Sequence, residues 1–301
     1  MAQHQVSGME MLARGLGLLR IEIGRKQLDR QVHLFQSNFG IHPFHVARVW
    51  SDMLTTTIPD AQLNPSKEKP EHMLTALFFL RVYPTEDQKV SPLNLDPKTS
   101  RKWQWIFVKK IAALKDLKIV WPNDWGQAVF IMSVDGTHCC INEPRDPVMR
   151  KHKKWYSHKN SGPGVNYEVA LHLWENRVVH TFFSGPAGES NDITAYRQML
   201  KARIPAGKMI IADHGYRSKF EDEREKIRVS SSLDTDAVRE FKNSAKTRQE
   251  SFNDRLKRFN VLSLKFCHGF NNHPVCFDAV LVLCQYGMEG NYRFSCPLFD
   301  V

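Results

Sequence analysis

The hydrophobic rhythm of the chain changes once, across Trp121-Pro122-Asn123-Asp124-Trp125-Gly126. Before that segment apolar residues recur at spacings of three and four, the helical period. After it they gather in short, partly β-branched runs that end in Asp or Gly, the pattern of strands. In the first half, Leu28, Val32 and Phe35 predict a helix from Arg25 to Phe35. The turn Asn38-Phe39-Gly40-Ile41-His42 follows. Pro43, suited to a first helical position, opens a second helix to Met53 with Phe44, Ala47 and Trp50 on one face. Helix, Gly-containing turn and helix fit a helix-turn-helix and an ordinary αα-hairpin equally well. Ile58 to Pro70 reads as a linker, and Glu71 to Tyr83 as an apolar core helix. Asp96-Pro97 caps a helix running to about Leu117, where Lys98, Arg101, Lys102, Lys109 and Lys110 alternate with Trp103, Trp105 and Ile106. That basic face suits phosphates or plain solvent. Residues 1–22 show no convincing pattern.

In the second half, Val129 to Val134 is an apolar run that stops at Asp135-Gly136, predicting a buried strand with a carboxylate at the mouth of a sheet. Lys208 to Ala212 repeats the device and delivers Asp213 before Gly215. Val165 to Trp174 and Arg177 to Phe183 predict a strand pair, and Lys226 to Ser231 a last strand. Helices are expected over Asp192 to Ala202, capped by Asn191 or Ser190, and over Asp236 to Asn260, which carries Glu250. These readings divide the chain into an uncommitted 1–24, a helical region 25–120 that is helix-turn-helix-like, and an α/β domain 126–301.

A length of 301 residues allows one large domain or two ordinary ones. No apolar run reaches 18 residues, so no span of a membrane is expected, nor a secretory signal. Six cysteines, two of them adjacent, suit reduced thiols better than a disulfide framework, which points to cytosol or nucleus. A formal charge of +10 favours a polyanionic partner. The excess is shared between the two halves, with no basic tail.

Chemistry concentrates on Asp135, Asp213 and Glu250. Hard divalent cations such as Mg2+ take carboxylate oxygens and leave positions for water and phosphate. Two such ions serve phosphodiester chemistry without a protein nucleophile. Basic residues stand near the acids in sequence: Lys151, Lys153, Lys154 and Lys159 with Trp155 and Tyr156, then Arg248 and Lys257 on the Glu250 helix. With Lys98, Arg101 and Lys102 they form the candidate DNA-binding set. Singly, each acid also reads as a turn residue or a solvated surface charge. The stripe Phe241, Ala245, Phe252, Leu256 and Phe259 lies opposite Glu250 on an ideal helix, so both faces need cover.

Collectively, Asp135-Gly136-Thr137-His138, Tyr156-Ser157-His158-Lys159, Asn191-Asp192, Ala212-Asp213-His214-Gly215-Tyr216, and Arg248-Gln249-Glu250 with Arg255-Leu256-Lys257-Arg258-Phe259 resemble the DDE transposases of the PIF/Harbinger group in order and spacing. The resemblance implies an RNase H-like fold, a mixed sheet with flanking helices, and divalent-metal-dependent cleavage and strand transfer of double-stranded DNA. It implies Asp135, Asp213 and Glu250 as catalytic acids and ligands of two Mg2+ or Mn2+ ions, with His138, His158 and His214 in support. Work in the nucleus, a homo-oligomer on DNA and a separate DNA-binding protein of the same element follow as expectations. Competing readings are a relative that binds DNA without cutting it, another nuclease on the same fold, and a zinc-stabilised module on Cys267, His268, His273 and Cys276.

Overall fold

The structure, a computed structural model, describes residues 5–22, 27–85, 96–143 and 153–289. It is mixed α/β and divides into two compact units. Among the described residues, one holds those up to Lys118 together with Leu256–Leu264 and those from His268 to Glu289; the other holds Ile119–Arg255 with Lys265–Cys267.

The first unit is helical. Helix α1, Gly8–Leu18, starts at Ser7, whose hydroxyl accepts the Glu10 amide. Its buried stripe was hidden in the sequence because Gly15 occupies one position of it. A Cβ there would lie 2.4 Å from the Phe35 ring, so close packing demands the smallest residue. Helix α2, Leu28–Phe39, ends at Gly40 with φ of 88°. Helix α3, Pro43–Thr55, is capped by the His42 ring nitrogen and buries Val46, Val49, Trp50 and Met53. Helix, Gly-containing turn and helix are therefore present, an outline that a helix-turn-helix and an αα-hairpin share, with Phe44 and Arg48 exposed on α3.

Helix α4, Pro70–Val82, is buried without a break from Met73 to Leu80, as its apolar composition requires. Helix α5, Pro97–Ala113, starts with the Asp96 side chain accepting the Thr99 amide. The predicted continuation to Leu117 breaks at Leu114, and Lys115–Lys118 forms a separate turn, α6.

The second unit is built on a six-stranded mixed sheet. Strands β1 (Phe130–Cys140), β3 (Gly162–His172) and β4 (Val178–Pro186) run antiparallel in the order β1-β3-β4, and β2 (Tyr156–Ser157) pairs with the start of β3. Across the other edge of β1, β5 (Met209–Ala212) and β6 (Ile227–Arg228) continue in parallel. The predicted last strand thus keeps only two residues.

One face of the sheet packs Met132, Val134, Ala170 and Ile210 against Tyr196, Leu200 and Ile204. They belong to the segment that runs through α7 (Asp192–Ala195), a π-helical turn (Tyr196–Leu200) that carries Tyr196 and Leu200, and α8 (Lys201–Arg203), which Ile204 closes. A single helix was expected there. After the short α9, Glu221–Lys226, the opposite face receives α10, Asp236–Lys257, through Phe241 and Ala245.

The sequence division ran the sheet domain to the last residue. The chain instead leaves the sheet unit at Arg255. The short α11, Asn260–Ser263, and the long α12, Asn272–Glu289, belong to the helical unit. Helix α12 is buried on every side from Phe277 to Tyr286 apart from Asp278, so it is a central core helix that α3 and α5 pack upon. Among the described residues no helix is long and apolar enough to cross a membrane.

Candidate active site

Strand β1 does not stop at Asp135-Gly136 as expected; it pairs with β3 as far as Cys140. The parallel pairing does stop. Ala212, the last residue of β5, lies opposite Val134, so Asp135 and Asp213 follow adjacent positions where β5 turns away from β1. The opening at the end of a parallel strand pair is where open α/β sheets expose side chains to ligand. Asp135, Asp213 and Glu250 line one cavity there, with Ser133, Lys246 and Gln249.

Helix α10 reaches this opening with a polar edge. Lys246, Gln249, Glu250 and Asn253 stand at spacings of three, four and seven and so share one stripe beside the packed face. Gln249 is buried; its side-chain oxygen accepts the Ser133 hydroxyl at 2.9 Å and its nitrogen donates to the Val169 carbonyl at 3.1 Å. The Asn253 amide donates to Asp135 Oδ2 at 2.9 Å, and the Lys246 ammonium lies 3.1 Å from Asp213 Oδ1. Glu250 sits exposed between them. A core-facing stripe and a rim acid therefore coexist on one helix, because the polar edge meets the sheet at its open end.

The two strand-borne acids are electrostatically different. Burial pushes Asp135 up to about 6; Asp192 and Asp213 add to the rise, and the Gly136 amide and Lys159 oppose it. At Asp213 burial also pushes upward, but the His214 amide and Lys246 outweigh it, so its carboxyl stays below its ordinary value.

A fourth carboxylate belongs to this end of the sheet. The Asp192 carboxylate lies over two glycines: a Cβ on Gly136 would stand 2.5 Å from its Oδ1, and one on Gly215 2.1 Å from its Oδ2. Burial raises the Asp192 carboxyl, while Lys159 draws it down and Asp213 raises it further. In the sequence Asn191-Asp192 reads as a helix start, and Asn191 does cap α7 by accepting the Thr194 amide. The two glycines were the available signal, since each follows or nearly follows an acid and each must be small.

The remaining site residues divide. Lys159 is exposed and acts on Asp135 and Asp192. Lys153 and Lys154 form a 3-10 turn, with Lys154 over the Trp155 ring, and Lys151 lies outside the described residues. Lys98, Arg101 and Lys102 are exposed on α5, with the Lys102 ammonium over Trp103. Arg248 is a correction: it is 4% exposed and its guanidinium donates to the carbonyls of His172, Leu173 and Glu175. It braces the end of β3 and has no free face for phosphate. Lys257 donates to the Leu262 carbonyl at 3.1 Å in the helical unit.

His138 Nδ1 lies 3.0 Å from Asn166 Oδ1, and its ring packs on Gly164. His158 and His214 are exposed, His158 with its ring edge-on to Tyr156.

The four acids supply oxygen donors only, which fits a hard divalent cation better than zinc. Lys246 already sets a positive charge against Asp213. Among the described residues no group of three or more His, Cys, Asp or Glu side chains converges closely enough to hold an ion. His273 and Cys276, proposed as zinc ligands, are buried in α12, where burial holds the imidazole down at about 3, while Cys267 is exposed. Compared with models of protein families, with curated proteins and with solved structures, the chain matches none.

Proposed function

We propose that the chain is a divalent-metal-dependent DNA endonuclease of the DDE transposase type, with the sheet unit as an RNase H-like catalytic domain. The observation that carries this reading is that Asp135, Asp213 and Glu250, far apart in sequence and on three different elements, line one cavity at the open end of a parallel strand pair. Asp135, Asp213 and Glu250 line one cavity without converging, and would have to draw together to hold Mg2+ or Mn2+, two ions in the full site, which when bound would activate the attacking oxygen and stabilise the leaving one.

The protein's own groups prepare that chemistry. Asp135 must lose its proton to serve, and Lys159 opposes the burial that retains it. Asn253 and the Gly136 amide each take one oxygen of Asp135, fixing the carboxylate plane. Lys246 holds Asp213 ionised. Exposed Lys153 and Lys159, with Lys98, Arg101 and Lys102 on the helical unit, supply charge for a DNA backbone, a sequence-independent term. Specific recognition is assigned to the helical unit, self-association on DNA and an accessory DNA-binding protein complete the reaction, and the nucleus is its place.

The Lys246–Asp213 ion pair favours one second reading, a relative in which the ammonium replaces a cation and DNA is bound but not cut. Incubating the full chain with duplex DNA and Mg2+ or Mn2+ separates the two. The nuclease reading expects nicking that Asp135→Asn, Asp213→Asn and Glu250→Gln each abolish. A variant that cuts at the wild-type rate removes its acid from the ligand set, and binding without any nicking supports the second reading.

A further inference from the structure

The loop that follows Asp213 carries an aromatic ring for which the cation site has no use. Strand β5 delivers Asp213, and the chain then closes into a 3-10 turn, His214–Tyr216, in which the Tyr216 amide donates to the Asp213 carbonyl at 3.0 Å. Tyr216 is buried in the same core cluster as Tyr196 and Leu200, so the turn is anchored to the sheet unit. Four residues further on stands Phe220. It is 59% exposed, more than any other Phe, Tyr or Trp among the described residues. Single exposed apolar residues are ordinary on a protein surface, so exposure alone decides nothing. What sets Phe220 apart is its mounting.

The Phe220 amide donates to Ser218 Oγ at 3.0 Å, and the Phe220 carbonyl accepts the Arg224 amide at 3.1 Å as α9 begins. The Ser218 hydroxyl donates in turn to Glu223, a carboxylate buried at the base of the loop. Arg197, on the π-helical turn, meets the same carboxylate twice, through Nε at 2.9 Å and Nη2 at 2.8 Å, and the Lys201 ammonium adds a third bond at 2.9 Å. A two-pronged pair of this kind fixes the plane of the guanidinium as well as its place. The Arg197 guanidinium lies 5.2 Å from the centre of the Phe220 ring, within reach of a cation–π contact. One buried acid therefore holds both the backbone that carries the ring and the cation that lies over it.

The charges around the ring are one-sided. Arg217 and Lys219, both exposed, precede Phe220 in the chain, between it and Asp213, whereas the exposed acids Glu221, Asp222 and Glu225 follow it on α9. A polyanion is drawn to the first group and repelled by the second, so one that reaches the ring arrives from the Asp213 end. An exposed ring set among Arg and Lys is the arrangement that takes unpaired bases, because every base offers a flat face and the cations hold its phosphates. We propose that Phe220 stacks on an unpaired nucleobase of the bound DNA, with Arg217 and Lys219 on the adjoining phosphates. The proposal rests on the nuclease reading for its ligand and names the form of DNA that the site takes, a strand with bases free of a partner.

The test compares two DNAs bound by the full chain at one salt concentration, without divalent cation so that neither is cut. One is a perfect duplex; the other is the same duplex with a short single-stranded flap carrying 2-aminopurine. The wild-type chain should hold the flapped DNA more tightly and quench the 2-aminopurine fluorescence. Phe220→Ala should lose roughly tenfold in affinity for the flapped DNA, within the range for one stacked base, lose the quenching, and bind the perfect duplex as before. Phe220→Tyr, which keeps the flat ring, should retain both properties. An equal loss on both DNAs, or no loss on either, overturns stacking, and nicking by the wild-type chain with Mg2+ or Mn2+ then leaves the nuclease reading standing. Flap binding that depends on Phe220 in a chain that nicks nothing overturns the nuclease reading alone. A wild-type chain that binds neither DNA overturns both and leaves the ring to a protein partner.

Discussion

The side-chain amide of Asn253 stands 2.9 Å from Oδ2 of Asp135, and the other oxygen of the same carboxylate accepts the Gly136 amide at 2.8 Å. Helix and strand thus grip one acid from two directions. Removing the helix contribution by Asn253→Ala leaves Asp135 free to rotate. We expect about a tenfold loss of Mn2+ affinity, typical of a lost outer-shell partner, with stability lower by about 1 kcal/mol. Isothermal titration and thermal melting check the two parts separately.

The raised pKa of Asp135 makes stability depend on pH in a defined direction. Between the ordinary value of 3.8 and about 6 the folded chain holds a proton that the unfolded chain has lost. Stability without added cation therefore falls as pH rises through that window and is level above it. Asp135→Asn removes the cost. The variant should melt higher than wild type near neutral pH by the equivalent of about 3 kcal/mol, and show no such gain near pH 4. Equal melting of the two proteins at neutral pH would show that Asp135 is not destabilised by burial.

Gly215 is required by its neighbour and not by its backbone angles. A Cβ there would stand 2.1 Å from Asp192 Oδ2. Gly215→Ala should displace the Asp192 carboxylate and destabilise the chain by about 1–3 kcal/mol, the range for overpacking. Gly215→Ala combined with Asp192→Ala should recover most of the loss, and chemical denaturation of the four proteins measures it.

Fragments test the division of the chain. One starting at Gly126 keeps α12 but not α3 and α5, against which that helix buries its apolar sides. It should aggregate. A fragment from Trp121 ending at Cys267 omits α12 and should give the larger soluble fraction in size-exclusion chromatography.

Much of the local structure was legible because it depends on neighbours in sequence. The 3.6-residue period marked α2 to α5, Asp96-Pro97 and His42-Pro43 marked helix starts, and the β-branched runs marked β1, β3, β4 and β5. Asp135, Asp213 and Glu250 could be singled out as candidates for the same reason, since Asp after an apolar strand and Glu on a long basic helix are local patterns.

Tertiary structure decided the rest. Only pairing with β3 carries β1 past Asp135, and only the end of β5 makes that position an opening. Asp192 looked like capping chemistry until the chain brought it over Gly136 and Gly215. Arg248 looked like a phosphate ligand until folding placed it beneath the carbonyls at the end of β3. The membership of α12 in the helical unit was equally invisible, because a helix apolar on all sides has no face that names its partner. A sequence sets which groups can be buried or charged; which of them meet depends on contacts between residues distant along the chain, and those are settled by packing of the whole.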